Sequence, residues 1–150
     1  MPFDIEQLKL YTAHRGIAIP MLDFLQFRHA PAEDGNGPGR LVVRVEPQLV
    51  NGWANAHGGL IMTLLDVAMA LSASDADDAY RGVVTVEMKT SFLRPGGEVG
   101  EVLEAHGKVL HHTRSIAFCE GELRNSQGVV VATSSGTFKY VNKPRPLADA

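Results

Sequence analysis

The sequence predicts an α+β fold in which an antiparallel sheet wraps around one long central helix. Three observations carry that reading. One long apolar run, His57 to Ser74, is rich in Leu, Met and Ala and holds a single charge, Asp66. From Gly82 to Val141 the chain reads as four long strand-like segments separated by turn signals. Two shorter strand-like segments, residues 21–29 and 41–47, precede the apolar run and flank a glycine-rich turn.

Each element follows from its local pattern. Phe3, Ile5, Leu8 and Tyr11 fall near one helical face, so residues 3–14 are expected to form a short amphipathic helix that Gly16 ends. Residues 21–29 alternate in part between apolar and polar, AEDGNGPG is a turn by composition, and LVVRVEP completes a hairpin. Residues 48–55 are irregular and polar. The run HGGLIMTLLDVAMALSAS is too long for one strand and is made of good helix formers, so it is assigned as a helix. Being apolar nearly all round, it is expected to be buried. The segments VVTVEMKTSFL, EVLEAHGKVLHH, SIAFCEGELRN and GVVVATSSGTFKYV are enriched in β-branched and aromatic residues, with turns at RPGGE, HHTR and NSQG. Residues 1–150 are therefore expected to form a single domain, with a loose, proline-containing tail over 142–150. One apolar helix needs a curved sheet to cover it, which is the hotdog architecture. Such a sheet covers one side of the helix and leaves an open edge, and both features favour pairing with a second copy.

Composition narrows the function classes. Hydrophobic residues are 45% and charged residues 21% of the chain, the balance of an ordinary globular domain. With 14 basic against 17 acidic residues and no basic-aromatic stripe, nucleic-acid binding has no electrostatic footing. The apolar run is interrupted by Asp66 and falls short of the roughly 18–20 uninterrupted apolar residues a bilayer requires, so no membrane association is expected. The N-terminal MPFDIEQLKL lacks the pattern of a secretion signal, and the lone Cys119 suits a reducing compartment; a cytoplasmic location is expected.

The chemistry concentrates between residues 51 and 66. His57-Gly58-Gly59 stands where an irregular segment enters the helix. A helix N-terminus presents free N–H groups and a partial positive charge, and glycines allow close approach. Such a place serves either as an oxyanion site or as a tight turn and packing contact. Asp66 is the lone charge of the helix, with Gly59, Thr63 and Ala70 as neighbours on its face. Such a carboxylate has either a partner to pair with or a reaction to serve. Gly58 and Asp66 lie 8 positions apart, a rise of about 12 Å along an α-helix. One reacting carbonyl cannot touch both groups of the same chain. If they cooperate, the carboxylate comes from a second, antiparallel subunit, and the site occurs twice about a two-fold axis.

Other clusters carry less. His111 and His112 are adjacent and point to opposite faces of a strand, and no histidine, cysteine or carboxylate spacing suggests a metal; no metal and no cofactor is expected. GNGPG at residues 35–39 lacks the G-x-G-x-x-G spacing and precedes a strand, so it reads as a hairpin turn. Cys119 reads as a small buried hydrophobe, and Asp75, Asp77 and Asp78 as a solvated loop.

The residues Asn51-Gly52-Trp53-Ala54-Asn55-Ala56-His57-Gly58-Gly59-Leu60-Ile61-Met62-Thr63-Leu64-Leu65-Asp66 resemble the signature of hotdog-fold acyl-CoA thioesterases of the phenylacetate-pathway type. The likeness continues through Val84-Thr85-Val86-Glu87-Met88, Phe92-Leu93-Arg94-Pro95-Gly96 and the last strand segment, covering residues 40–141. One departure is Ala54, where the family usually carries glycine, which implies a different bend in the entry loop.

The resemblance implies roles for single residues. The Gly58 N–H would polarise the thioester carbonyl. Asp66 of the facing subunit would act as general base or as nucleophile. Asn51 would orient water or the carboxylate, and Thr85 stands where relatives often carry a serine hydroxyl. Gly59 and Thr63 would border the substrate, and His57 either lines the pocket or fixes the loop. Apart from the resemblance, Arg94 and Arg114 flank turns and are on that ground the candidates for the CoA phosphates. The implied assembly is a homodimer or homotetramer, and the implied substrate an acyl-CoA. Two other functions fit the same architecture: a hydratase or dehydratase acting on acyl thioesters, and a non-catalytic acyl-CoA-binding module. The His-Gly-Gly pattern argues against the hydratase.

Overall fold

The computed structural model describes residues 4–33, 40–144 and 146–149. The helix α3, Gly58–Asp75, lies against a six-stranded antiparallel sheet made of β1 (Arg28–Ala30), β2 (Arg40–Arg44), β3 (Val83–Phe92), β4 (Val102–His112), β5 (Ile116–Arg124) and β6 (Val130–Tyr140). The strand order is β1-β2-β4-β5-β6-β3. The four long strands and the central helix stand where the sequence places them, and the GNGPG turn at 35–39 lies outside the described residues.

The N-terminal region differs from expectation. In place of one helix over 3–14 the described residues form a single 3-10 turn, Ile5–Gln7, and the short helix α1, Tyr11–Arg15. Residues 21–29, read as a strand, divide into helix α2, Pro20–Phe24, and the three-residue β1. Pro20 is the reason: at the first helical position its fixed φ suits a helix, and the N–H it lacks is one a helix start leaves unbonded anyway. Gln26, at φ 58°, then turns the chain out of the helix. The tail is not loose throughout, because Ile17 bridges Leu147 and the Ala18 N–H donates to the Pro146 carbonyl at 3.0 Å.

The helix packs on β2 through β6, and glycines set how closely. Gly107 of β4 pairs with Gly121 of β5 directly beneath it. A Cβ on Gly107 would stand 2.2 Å from the Ala68 carbonyl oxygen, and one on Gly121 would meet Leu65 and Met69 at 3.1 and 3.2 Å. Glycine inside a strand marks close backbone approach, and here the approaching group is the helix backbone itself. Leu60, Ile61, Leu64, Leu65, Ala68, Met69 and Leu71 are thereby buried against the sheet. At 18 residues α3 has the length and apolarity to cross a membrane, but this burial makes it the core helix of the domain.

Burial of the helix is one-sided. Met62, Thr63, Asp66, Val67 and Ala70 stay half-exposed along one stripe, so the helix, expected to be buried, is covered by the sheet on one side only. The sheet wraps one side, and the uncovered side runs beside β3, whose outer edge is unpaired among the described residues. Filling the glycine seat tests this packing. Gly107→Ala is expected to lower unfolding free energy by about 1–3 kcal/mol, the range for overpacking, in a denaturant melt. Gly52→Ala, which faces open space, is expected to change it by no more than about 0.5 kcal/mol.

Candidate functional site

The entry loop to α3 is built by Asn51. Its Oδ1 accepts from the Trp53 N–H at 2.9 Å and the Asn55 N–H at 3.1 Å, closing a tight turn. That turn holds Ala54 at φ 59°, the left-handed region that glycine enters without a Cβ clash. The alanine at this position therefore bends the loop as a glycine would, at the expense of local strain. Asn51 thus serves the loop through its side-chain oxygen. The Ala56 N–H donates to Gly97 at 2.8 Å, tying the loop to the turn that follows β3.

His57 is the N-cap of α3: its Nδ1 accepts from the Gly59 N–H at 2.9 Å, which places the ring proton on Nε2. A Cβ on Gly59 would press on that Nδ1 at 3.1 Å, so the second glycine makes room for the cap. The Ile61 N–H donates to the His57 carbonyl at 3.2 Å. Gly58, as the first helical residue, has an N–H that the helix itself leaves unbonded, at the positive end of the helix dipole. It faces a concavity of about 360 Å³ shared with Asn51, Trp53, Phe92 and Arg94, and the Phe92 ring would lie 3.5 Å from a Cβ on Gly58.

Asp66 is two turns further along, on the uncovered stripe. Its Oδ1 accepts from the Thr85 hydroxyl at 2.6 Å. That contact depends on an irregularity in β3. Register shifts between Thr85 and Glu87, so Val86 bulges out and Thr85 and Met88 both turn toward α3. Thr63, one turn before Asp66, donates its hydroxyl to the Gly59 carbonyl at 2.7 Å. Asp66, Thr63 and Thr85 border a second, larger concavity of about 1090 Å³, lined by Val67, Ala70, Val83 and Val84 and by Ile17, Ile19, Met21 and Leu22 of the N-terminal region.

The two concavities share no lining residue. Within one chain the Asp66–Thr85 pair and the Gly58 N–H thus belong to separate places, as the helical rise demands. Arg94 stands at the Gly58 end, where its Nη1 donates to the Val130 carbonyl at 2.6 Å. Arg114 stands at the other end of α3. Its carbonyl accepts from Arg81, which packs over the Tyr140 ring, and Tyr140 in turn donates to Ala73 near the helix C-terminus. A single chain therefore cannot direct both arginines at one phosphate group.

Cys119 is buried, and desolvation raises its thiol to about 11, which keeps it protonated near neutral pH and unsuited to nucleophilic attack. Among the described residues no group of three or more His, Cys, Asp or Glu could hold a metal ion. A polar concavity of about 1060 Å³ on the opposite face of the sheet, bordered by Glu104, Lys108, Glu120 and Glu122, contains none of the site residues named from the sequence. What the sequence reading missed is the wall from Ile17 to Leu22 and the Phe92 ring. The only signal for the wall was a run of apolar residues around Pro20.

The profile of the thioesterase superfamily matches residues 54–132, which include Gly58, Asp66, Thr85, Arg94 and Arg114. A Pseudomonas aeruginosa protein whose name assigns it to the esterases is 31% identical over 122 residues, covering 75% of this chain and 90% of its own. The acyl-coenzyme A thioesterase PaaI of Escherichia coli is 31% identical over 97 residues, 64% of this chain and 66% of that protein. Among solved structures, a Bacillus halodurans protein crystallised with CoA superposes with a TM-score of 0.77 at 25% identity, over 93% of this chain and 90% of that one.

The cap geometry yields a direct test. His57→Ala is expected to reduce stability by about 1 kcal/mol in a denaturant melt, and His57→Asn, which keeps a capping acceptor, to recover most of the loss. Equal stability of all three proteins would show that His57 does not cap the helix.

Proposed function

We propose that this chain, which belongs to the thioesterase superfamily and is a thioester hydrolase, hydrolyses acyl-CoA thioesters at a site shared between two subunits. The observation that carries the reading is the pairing of an open, hydroxyl-bonded carboxylate, Asp66, with a glycine N–H at the start of the same helix that the carboxylate cannot reach.

The proposed step uses water. Thr85 occupies Oδ1 of Asp66, leaving Oδ2 to accept a proton from a water molecule. The water oxygen attacks the thioester carbonyl carbon, and the developing oxyanion is met by the Gly58 N–H and the helix dipole of the facing subunit. Collapse breaks the C–S bond; the CoA thiolate leaves and takes up the proton, so that water and acyl-CoA become a carboxylic acid and free CoA. Thioesters suit this modest machinery because thiolate is a good leaving group.

The free edge of β3 supports the shared site. Thr85 lies near the start of β3 and Phe92, which covers Gly58, at its end. Two β3 edges paired antiparallel about a two-fold axis near Met88 and Lys89 bring Thr85 of one subunit opposite Phe92 of the other. Asp66 then faces the partner's helix start. In this homodimer the exposed Val84, Val86 and Phe92 would be covered, and the open edge would be satisfied by hydrogen bonds.

The test is a pair of substitutions on the purified protein with CoA release as readout. Asp66→Ala is expected to keep a folded oligomer and lose at least about 100-fold in turnover. Gly58→Pro removes one N–H at the helix position where proline is best tolerated, after a His57 already extended at φ −65°, ψ 140°, and is expected to lose about 100-fold or more. Full activity in Asp66→Ala would remove the carboxylate from the mechanism.

A further inference from the structure

We infer that the groove leading away from Asp66 is a receptor for an extended apolar acyl chain, and that Ala70 and the Ile17–Leu22 segment set the chain length the enzyme accepts. The inference rests on the proposed thioesterase site and deepens it. The groove is continuous with that site, since Asp66 and Thr85 form part of its wall. A carbonyl held at Asp66 has one large apolar concavity beside it. Beyond the carboxylate the lining is Val67 and Ala70 on the helix, Val83 and Val84 on β3, and Ile17, Ile19, Met21 and Leu22 on the opposite wall. Its cations, Lys139 and Lys143, come from the chain that leads into the C-terminal tail.

The opposite wall is held in place. Arg15 pairs with Asp75 at 2.7 Å and donates to Ser74 at 3.4 Å, which ties the end of α1 to the end of α3. Thr12 hydrogen-bonds to Asp23, locking α1 to α2. Ile17 bridges Leu147, and the Tyr11 N–H donates to Phe27 at 2.8 Å. A wall fixed at both ends is preorganised, so apolar ligand area gained there is not offset by ordering a loop. Ile19 and Met21 keep 37% and 58% of their surface exposed, leaving apolar area for a ligand to cover. Ala70 is one helical turn past Asp66, about 6 Å along the axis, and its small side chain keeps the passage open. A polar or very short acyl group would leave this surface in water.

The experiment measures kcat/KM by CoA release for acetyl-CoA and octanoyl-CoA. The wild-type protein is expected to favour octanoyl-CoA by at least about tenfold, within the range that methylene burial in a pocket supplies. Ala70→Phe, which fills the passage, and Met21→Gln, which makes the exposed wall polar, are each expected to lower the octanoyl-to-acetyl ratio, Ala70→Phe by about tenfold or more. Met21 is exposed, so its variant keeps the readout available if Ala70→Phe does not fold. Equal turnover of the two substrates by the wild type, or an unchanged ratio in a folded Ala70→Phe protein, overturns the chain-length inference while leaving the thioesterase reading intact. An altered subunit count in either variant, read by light scattering with the ratio unchanged, assigns the groove to a second copy instead and also overturns it. Hydrolysis of neither substrate, nor of any acyl-CoA in a wider panel, defeats the parent reading and this one with it.

Discussion

The seating of α3 on the glycine pair of β4 and β5 is the constraint from which the rest follows. With the Ala68 carbonyl oxygen only 2.2 Å from where a Gly107 side chain would begin, the helix has no room to slide or roll on the sheet. Its polar groups are therefore fixed points. Gly58 is held at one end and Asp66 two turns on, separated by about 12 Å of rigid helix. No side-chain rotation closes that gap, and the separate concavities around the two groups express the same fact in space.

Two consequences meet at the uncovered side of the domain. A helix packed this tightly on one face exposes its other face, and the Asp66 carboxylate lies on that exposed stripe. The sheet ends in β3 beside it, with an edge still able to pair. A second copy placed on that edge would answer the exposed apolar residues, the unpaired strand and the incomplete site together. Several partial features thus have one proposed resolution. The bulge at Val86 belongs to it as well, because without the extra residue Thr85 and Met88 could not both face the helix.

Legibility in the sequence followed element length. The central helix and the four long strands carry enough residues for their patterns to dominate, and each appears within a few residues of its expected limits. Residues 4–30 form elements of three to five residues, too short for periodicity to speak, and their shapes come from Pro20, Gln26 and long-range ties to the tail. Asp66 was visible as a charge out of place, and the glycine pattern at 57–59 marked the helix start. The division of labour between the two glycines was not visible, since it depends on the His57 ring turning back to cap Gly59. Gly107 and Gly121, each alone within a strand-like run, were signals of close approach that the helix later explained. Arg114 resembled Arg94 in its turn setting, and only the topology separates them to opposite ends of α3.

The most direct measurement is complementation between two inactive chains in one dimer. Asp66→Ala and Gly58→Pro proteins, differently tagged and co-produced, give a mixed dimer that can be purified through both tags. If each site joins Asp66 of one subunit to Gly58 of the other, the mixed dimer contains one intact site, and its CoA release should recover to about half the wild-type rate per dimer. A mixed dimer as inactive as its parents would contradict the shared site, because both defects would then fall within sites formed by single chains.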